Sequence, residues 1–378
     1  MRILILNYEF PPLGGGGGVA AYKLAKGFIS LGYEVDYVTS RFGNAKKFEV
    51  VDNINVHRVK IFNRKDPHAA SFLSMLSYIF FGFIKGFALC KKYKYKFINT
   101  HFVLPTGPIG YLLSKIFHLK NILSIHGGDI YDPSKESSPH RHWYYRKIIR
   151  NILNNSSVVV AQSNNTKLNA LNLYKPKHNI EIIPLAYEIF DFATKSREEL
   201  GLENSKKYIV SVGRMVKRKG FDYLIKSLTR LDENIELLII GDGPEMMNLK
   251  ALSNELNLNC RVHLLGVTTE EQKFQYLSIS DVYVLSSLHE GFGIVLLEAM
   301  QVGLPIVATK QGGQTDLVID NENGLLIETM NEQAIANGVE NIINNKETRE
   351  NMSKMNIKLP TNYASNHIAK RYITLINN

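Results

Sequence analysis

The chain is poor in several features that would settle its class early. Of its 378 residues only two are cysteine, Cys90 and Cys260. They lie far apart and match no metal or redox spacing, which argues against a disulfide framework and for a reducing compartment. No His, Cys and carboxylate grouping with metal-ligand spacing is evident, so no metal is expected. No fixed-period repeat is present, which excludes a solenoid. The opening MRILILN is too short for the apolar core of a signal peptide and runs straight into turn residues, so no such leader is expected. Acid is scarce in the front half. Residues 1–190 hold 25 Lys and Arg against 11 Asp and Glu, while residues 191–378 hold 20 against 24, within a formal net charge of +10. A front half this basic implies a polyanionic neighbour: anionic lipid, a phosphorylated acceptor or nucleic acid.

One stretch, PHAASFLSMLSYIFFGFI at 67–84, lacks Lys, Arg, Asp and Glu altogether. It reaches the ~18 residues at which a membrane span is considered. Its serines, His68 and Gly82 dilute it and Lys85 ends it, so it reads as a buried or interfacial helix.

What is present is alternation. RILILN (2–7) reads as a buried strand, 19–31 as a helix and YEVDYVTS as the next strand. KFINTH, NILSIH, SSVVVAQS and IEIIPLA read as further strands. The pattern loosens over about 187–206 and restarts with KYIVSVG, running strand–helix through PIVAT at 305–309. Such alternation predicts parallel sheets covered on both faces. The fold class is therefore α/β, with two tandem Rossmann-like domains over 1–187 and 188–361. A final helix at about 362–378 crosses back to the first domain. In such sheets ligands bind outside the carboxyl ends of strands, so the expected site is a cleft between two facing sheets.

The run LGGGGGVA at 13–20 invites a dinucleotide reading as G-x-G-x-x-A through Gly15, Gly17 and Ala20. Tyr8 to Leu13 separate it from the strand, and Glu34 and Asp36 sit early in the next strand, not at its end. A nicotinamide fold is disfavoured on both counts. No Gly-Lys-Ser/Thr follows, so a P-loop fails too. A long flexible loop whose amides meet an anion or a sugar hydroxyl at a helix start fits better.

In the back half, SVGRMVKRKG places Gly213 at a strand end, then Arg214 and Lys219 five apart, a natural clamp for a diphosphate. HEGFGIVLLEAMQVG has a helix from Ile294, with Gly291 and Gly293 leaving its first amides open to a phosphate. Glu290 precedes that helix and Glu298 lies inside it, so the two would grip different parts of one elongated ligand. A carboxylate accepts two hydroxyl hydrogen bonds, which suits a vicinal diol.

These motifs, PPLGGGGG, HGGD at 126–129, GRMVKRKG, GDGPE at 241–245 and EGFGIVLLEAM with its E-x7-E spacing, resemble the retaining GT-B glycosyltransferases of family GT4 across nearly the whole chain. The resemblance implies sugar transfer from a UDP-sugar or GDP-sugar, with no further cofactor. It implies that Arg214 and Lys219 hold the diphosphate, and that Glu298 holds the ribose. Glu290 would contact the donor sugar, assisted by amides around Phe292, Gly293, Ile294 and Val295. His126 would face that sugar, Gly16, Gly17 and Gly18 would approach the donor phosphate or the acceptor, and Gly266 would present backbone to the base. Asp129 is a weaker candidate for acceptor contact, and His101 reads as structural. The front domain, with its excess positive charge and KKYKYK at 91–96, would take a glycan or lipid-diphosphate acceptor, peripheral to the cytoplasmic face of a membrane. Nucleic acid is not expected as a partner. Two other classes compete: a non-catalytic nucleotide-sugar or nucleic-acid binder, and an NAD-dependent sugar oxidoreductase.

Overall fold

A computed structural model describes residues 1–66 and 70–377. Pro67, His68 and Ala69, which open the uncharged stretch, and the last residue, Asn378, lie outside the described residues. The chain divides into two compact units, Met1–Glu188 joined by the segment from Tyr363 onward, and Ile189–Asn362.

The first unit runs β1 (Arg2–Leu6), α1 (Gly16–Ser30), β2 (Glu34–Arg41), β3 (Phe48–Val51), β4 (Ile54–Lys60), α2 (Phe72–Lys92), β5 (Tyr95–His101), α3 (Gly107–Phe117), β6 (Asn121–Ile125), α4 (Trp143–Asn155), β7 (Val158–Ala161), α5 (Asn164–Tyr174) and β8 (Ile180–Ile182). Its eight strands lie in the order β3-β4-β2-β1-β5-β6-β7-β8. All pairings are parallel except β3 with β4. That edge hairpin is a departure from the all-parallel expectation. Strand β1 is central, and its Ile3 to Leu6 are fully buried, as a continuous apolar run predicts for a strand covered on both faces.

Register sorts the helices. Leu4 pairs with Ile98 and Thr100 with Leu123, which places Leu4, Ile98 and Leu123 on one face. Leu4 and Ile98 pack beneath α2 and α3, and Leu123 packs with Ile149 and Ile152 of α4. Ile3, Phe97 and Ile122 point the other way, into a cluster with α1 and the chain's last helix, Ser365–Asn377. That helix seats against Gly27, where a Cβ would stand 2.1 Å from the Ser365 carbonyl oxygen. It crosses β6 too, where the Tyr372 hydroxyl meets Ser124 Oγ at 3.0 Å.

Two helices differ from expectation. Helix α1 starts at Gly16, so Gly16, Gly17 and Gly18 form its first turn instead of a loop. Helix α2 passes Lys85 and continues to Lys92. A Ser71–Ser74 capping box starts it, and Gly82 and Gly86 let the side chains of Ile109 and Leu113 approach closely.

The second unit runs β9 (Lys207–Val212), α6 (Phe221–Ser227), β10 (Ile235–Ile240), α7 (Met246–Glu255), β11 (Val262–Gly266), α8 (Glu270–Ile279), β12 (Val282–Leu285), α9 (Ile294–Gln301), β13 (Ile306–Thr309), β14 (Gly324–Ile327), α10 (Glu332–Asn344) and α11 (Lys346–Asn356). Its parallel sheet has the order β11-β10-β9-β12-β13-β14. Strand order reverses between β1 and β5 in the first unit and between β9 and β12 in the second. Loops at the carboxyl ends of these pairs diverge and leave a crevice, the usual ligand position in open α/β sheets.

Candidate active site residues

In the second unit the loops after β9 and β12 carry the charged groups. Lys219 Nζ donates to Glu290 Oε2 at 2.5 Å, and Arg218 Nη1 stands 3.6 Å from the same oxygen while donating to the His289 carbonyl at 2.8 Å. Burial alone would raise the Glu290 carboxyl. Lys219 and Arg218 outweigh it and bring the carboxyl down to about 2. Lys219 is held by more than its partner. Its carbonyl accepts from Ser286 Oγ at 2.9 Å, and its stem lies over Gly213, where a Cβ would sit 3.2 Å from Cε. Gly220 follows in a left-handed conformation, φ +62°, tight against the Ser286 carbonyl. Arg214 is exposed on the same loop.

Helix α9 begins behind Gly293, φ +95°, with no side-chain cap. Phe292 is buried beside it, and the first-turn residues Ile294 and Val295 are part-exposed. Their amides lie at the positive end of the helix dipole. Glu298, one turn further in, is only 8% exposed. Its Oε1 accepts from Lys273 Nζ at 2.8 Å, and its Oε2, also buried, meets no hydrogen-bond partner among the described residues.

Lys273 is a residue that sequence reading missed. It reaches Glu298 from α8, whose start is fixed by a Thr269–Gln272 capping box, and it also binds Glu270 one turn back at 2.8 Å. Burial works against its ammonium, yet Glu298 and Glu270 together raise its pKa. The capping box is legible in TTEEQK; the reach from α8 to α9 is not. Gly266 ends β11 with φ +68° and pairs with Gly241, whose amide donates to its carbonyl at 2.8 Å.

In the first unit the loops after β1, β5 and β6 meet. The absent side chain of Gly17 is explained by Phe102, whose ring Cζ would lie 2.4 Å from a Cβ there. Phe102 itself holds φ +68°, rare for a bulky residue. Its ring lies 4.4 Å from that of His126, centre to centre. Glu9 backs the rest of the run, accepting from the Gly15 amide at 3.0 Å and lying against Gly18. Among the described residues nothing lies within 4 Å of where a Cβ would stand on Gly15 or Gly16.

His126 is buried, and its Nε2 is engaged by His101 Nδ1 at 2.9 Å. The amide of Asn99 donates to the Ile122 carbonyl at 3.3 Å, which fixes its Oδ1 toward His101 Nε2 at 2.8 Å. His101 therefore carries its proton on Nε2 and accepts at Nδ1, so His126 donates from Nε2 and is bare at Nδ1. Burial brings the His126 imidazole down to about 4, and burial with His126 as neighbour puts His101 well below its usual range. Both rings are neutral at physiological pH. Asp129 ties the two loops together, accepting from the Val103 amide at 2.7 Å and the His126 amide at 2.8 Å. Burial pushes its carboxyl up to about 6. Among the described residues no group of three or more His, Cys, Asp or Glu side chains is placed to hold a metal ion.

Residues 192–359 match the family model of the glycosyl transferases group 1, and residues 14–189 match that of Glycosyltransferase Family 4. The chain belongs to the group 1 glycosyltransferases. An uncharacterized glycosyltransferase of Methanocaldococcus jannaschii is 27% identical, over 99% of this chain and 97% of its own length. Among solved structures, sucrose-phosphate synthase from Thermosynechococcus elongatus superposes with TM-score 0.86 at 23% identity, covering 100% of this chain and 98% of its own. Anabaena HepE in complex with UDP-glucose superposes with TM-score 0.79 at 20% identity, covering 100% and 99%. The glycosyltransferase thus has the GT-B fold. Its family-model boundaries fall close to the division between its two units.

Proposed function

We propose that this glycosyltransferase moves a sugar from a UDP-sugar or GDP-sugar to a hydroxyl of a glycan or lipid-diphosphate acceptor, with retention of anomeric configuration. The observation that carries the reading is the gathering, at the strand-order reversal of the second sheet, of Lys219, Arg218 and a glycine-capped helix start beside Glu290. Departure of a nucleoside diphosphate builds negative charge, and preorganised cations and amides are the largest help a protein gives such a step. Lys219 with Arg214 would hold the diphosphate, with the amides of Ile294 and Val295 adding to them. Glu298 would take a ribose hydroxyl on its unpartnered Oε2. Glu290 would accept from the donor sugar, and Gly266 would leave its backbone open to the base. HepE, of the same fold, binds UDP-glucose, which supports a uridine nucleotide.

On the first unit, the open side of Gly15 and Gly16 would admit the donor phosphate or the acceptor. His126 would act as a neutral hydrogen-bonding ring and not as an acid. Asp129 would place the acceptor loops. The basic front half supports an acceptor carrying phosphate, met on the cytoplasmic side of a membrane. The test is a panel of UDP- and GDP-sugars, scored by NMR for release of the nucleotide and for the anomer formed. Arg214→Ala is expected to lower turnover by about 10²-fold while changing UDP affinity less. A normal rate for that variant, or an inverted product, overturns the corresponding part of the reading.

A further inference from the structure

We propose that the outer face formed by α2, α3 and α4 is a docking surface for an anionic lipid leaflet. Three observations converge on it. The first is charge of one sign. The three helices carry seven Lys and Arg, three in α2, one in α3 and three in α4, and no Asp or Glu. Six of the seven are exposed, Lys85 being part-buried. The one exposed acid of the loop leading into α4 is Glu136.

The second is apolar exposure in register. Phe72, Leu76, Phe80 and Ile84 follow one another every fourth residue and are 62%, 46%, 61% and 49% exposed. Leu112 and Ile116 continue the surface on α3, and Trp143, Tyr144 and Ile148 do so on α4. A helix facing water carries polar residues on these positions. At about 150–250 Å² per aromatic side chain, Phe72, Phe80 and Trp143 alone leave on the order of 400 Å² of apolar surface in water. Exposed apolar surface of this order is often functional, above all where charged groups rim it, as the seven cations of these helices do. A groove of about 410 Å³ between α3 and α4, walled by Pro108, Tyr111, Leu112, Ile148 and Ile152, joins the stripes.

The third is that the helices are fixed to the sheet. Among the described residues α2 is the one helix long and apolar enough to cross a membrane. It is pinned instead: Gly82 and Gly86 lie against Ile109 and Leu113, and the Tyr78 hydroxyl donates to the Val38 carbonyl at 2.9 Å. The surface therefore lies on a bilayer and does not span it. Aromatic and aliphatic side chains would enter the interface with cations at the headgroups. A second copy of the chain fits poorly, because a two-fold contact would set identical cationic helices against each other.

The position of the patch matters to the reaction. The first turn of α2 touches the loop after β1, where the Tyr8 hydroxyl donates to Ser74 Oγ at 2.8 Å. The stripe thus begins at the strand-carboxyl edge that bears the glycine turn, Phe102 and His126. Its meaning for acceptor delivery rests on the proposed transfer to a lipid-linked acceptor; the docking itself does not.

The experiment is vesicle co-sedimentation with phosphatidylglycerol vesicles and with phosphatidylcholine vesicles, at low and at 1 M salt. Wild type, Phe72→Glu/Phe80→Glu and Lys147→Glu/Arg150→Glu are compared, with nucleotide-sugar hydrolysis and Tm measured on the same samples. Wild type is expected to sediment with the anionic vesicles and to be released by salt. Each double variant should lose at least tenfold in partitioning with Tm and hydrolysis unchanged. Wild type left in solution, undiminished binding by Phe72→Glu/Phe80→Glu, or a dimer that this variant dissolves would overturn the proposal. Hydrolysis without vesicle binding would sink the docking and leave the glycosyl-transfer reading standing. Vesicle binding without turnover of any nucleotide sugar would do the reverse.

Discussion

Lys273→Met isolates the part of the candidate site that sequence did not reveal. The substitution keeps the length of the side chain and removes the ammonium that lies 2.8 Å from both Glu298 and Glu270. Glu270 is exposed and regains water, whereas Glu298 is 8% exposed and is left as a buried charge without a partner. Removing one member of a buried pair costs about 3–5 kcal/mol, and the true value here lies toward the low end if water reaches the vacated space. The effect on ligand binding is separable from that on folding. A hydrogen bond to an ionised group contributes roughly 1.5–3 kcal/mol, so a Glu298 no longer held in place by Lys273 should weaken UDP binding by roughly 10- to 100-fold. Lys273→Arg should restore most of the affinity. Isothermal titration with UDP reads both. A Lys273→Met protein that binds UDP within twofold of wild type would refute both the role of Lys273 and the assignment of Glu298 Oε2 to the ribose.

Two further outcomes follow from the geometry. The Glu290 carboxyl is lowered from 4.5 to about 2. The pair therefore stabilises the fold above pH 4.5, and about 3 kcal/mol of stability is lost as pH falls toward 2. Denaturant melts at pH 5, 4 and 3 should show a shallower acid limb for Glu290→Gln, and parallel limbs would refute the pairing. Gly17→Ala must displace the Phe102 ring, 2.4 Å from the new methyl, and should lower stability by about 1–3 kcal/mol. Gly16→Ala meets open space within a helix and should hold or raise Tm. If it does so while abolishing turnover, a ligand rather than packing explains that glycine; a Tm drop equal to that of Gly17→Ala would deny the difference.

Sequence periodicity was sufficient where burial is two-sided. The strands RILIL, KFINTH, NILSI and IELLII are runs of apolar residues between turn signals, and each is a strand of a buried parallel sheet. It failed where tertiary contacts decide. FEVV and INVHRVK form an edge hairpin around Asp52 and Asn53, both at positive φ; FEVV has only four residues, and Asn55, His57 and Arg58 interrupt the apolar residues of INVHRVK, so neither is a continuous apolar run. The glycine run reads as loop because glycine is a poor helix former. Gly16 to Gly18 are helical because the carboxylate of Glu9, the Phe102 ring and the following VAAYKLAKGF helix enforce it. Motif residues were legible because their spacing is local: Arg214 with Lys219, Glu290 with Glu298. The groups that hold them were not. Lys273 lies 25 residues from Glu298, and His101 lies 25 from His126. No periodicity connects residues that only the crossover between strands brings together.

The same pairs change what the charges can do. Arg214, Lys217, Arg218 and Lys219 put four cations on one loop, and Glu290 compensates one of them. Under the proposed transfer a diphosphate would meet a surplus of positive charge in which Lys219 and Arg218 are already held in position, so that its binding need not order Lys219 from solution. That is the condition under which electrostatic stabilisation is worth most, because the dipoles and charges do not reorganise during the reaction. The pairing also limits Glu290. With its carboxyl near 2 it stays ionised at any working pH and has no proton to give. Under the proposed transfer it would accept from sugar hydroxyls, and would attack as a nucleophile only once Lys219 had moved toward the phosphate. His126, neutral and bound through Nε2 to His101, is no more able to serve as an acid. Under the proposed transfer the proton of the acceptor hydroxyl would pass to an oxygen of the departing diphosphate, a stronger base than the Glu290 carboxylate near 2 or the His126 imidazole near 4. The leaving group would then act as the base for its own displacement, held by the cations that the loop after β9 concentrates.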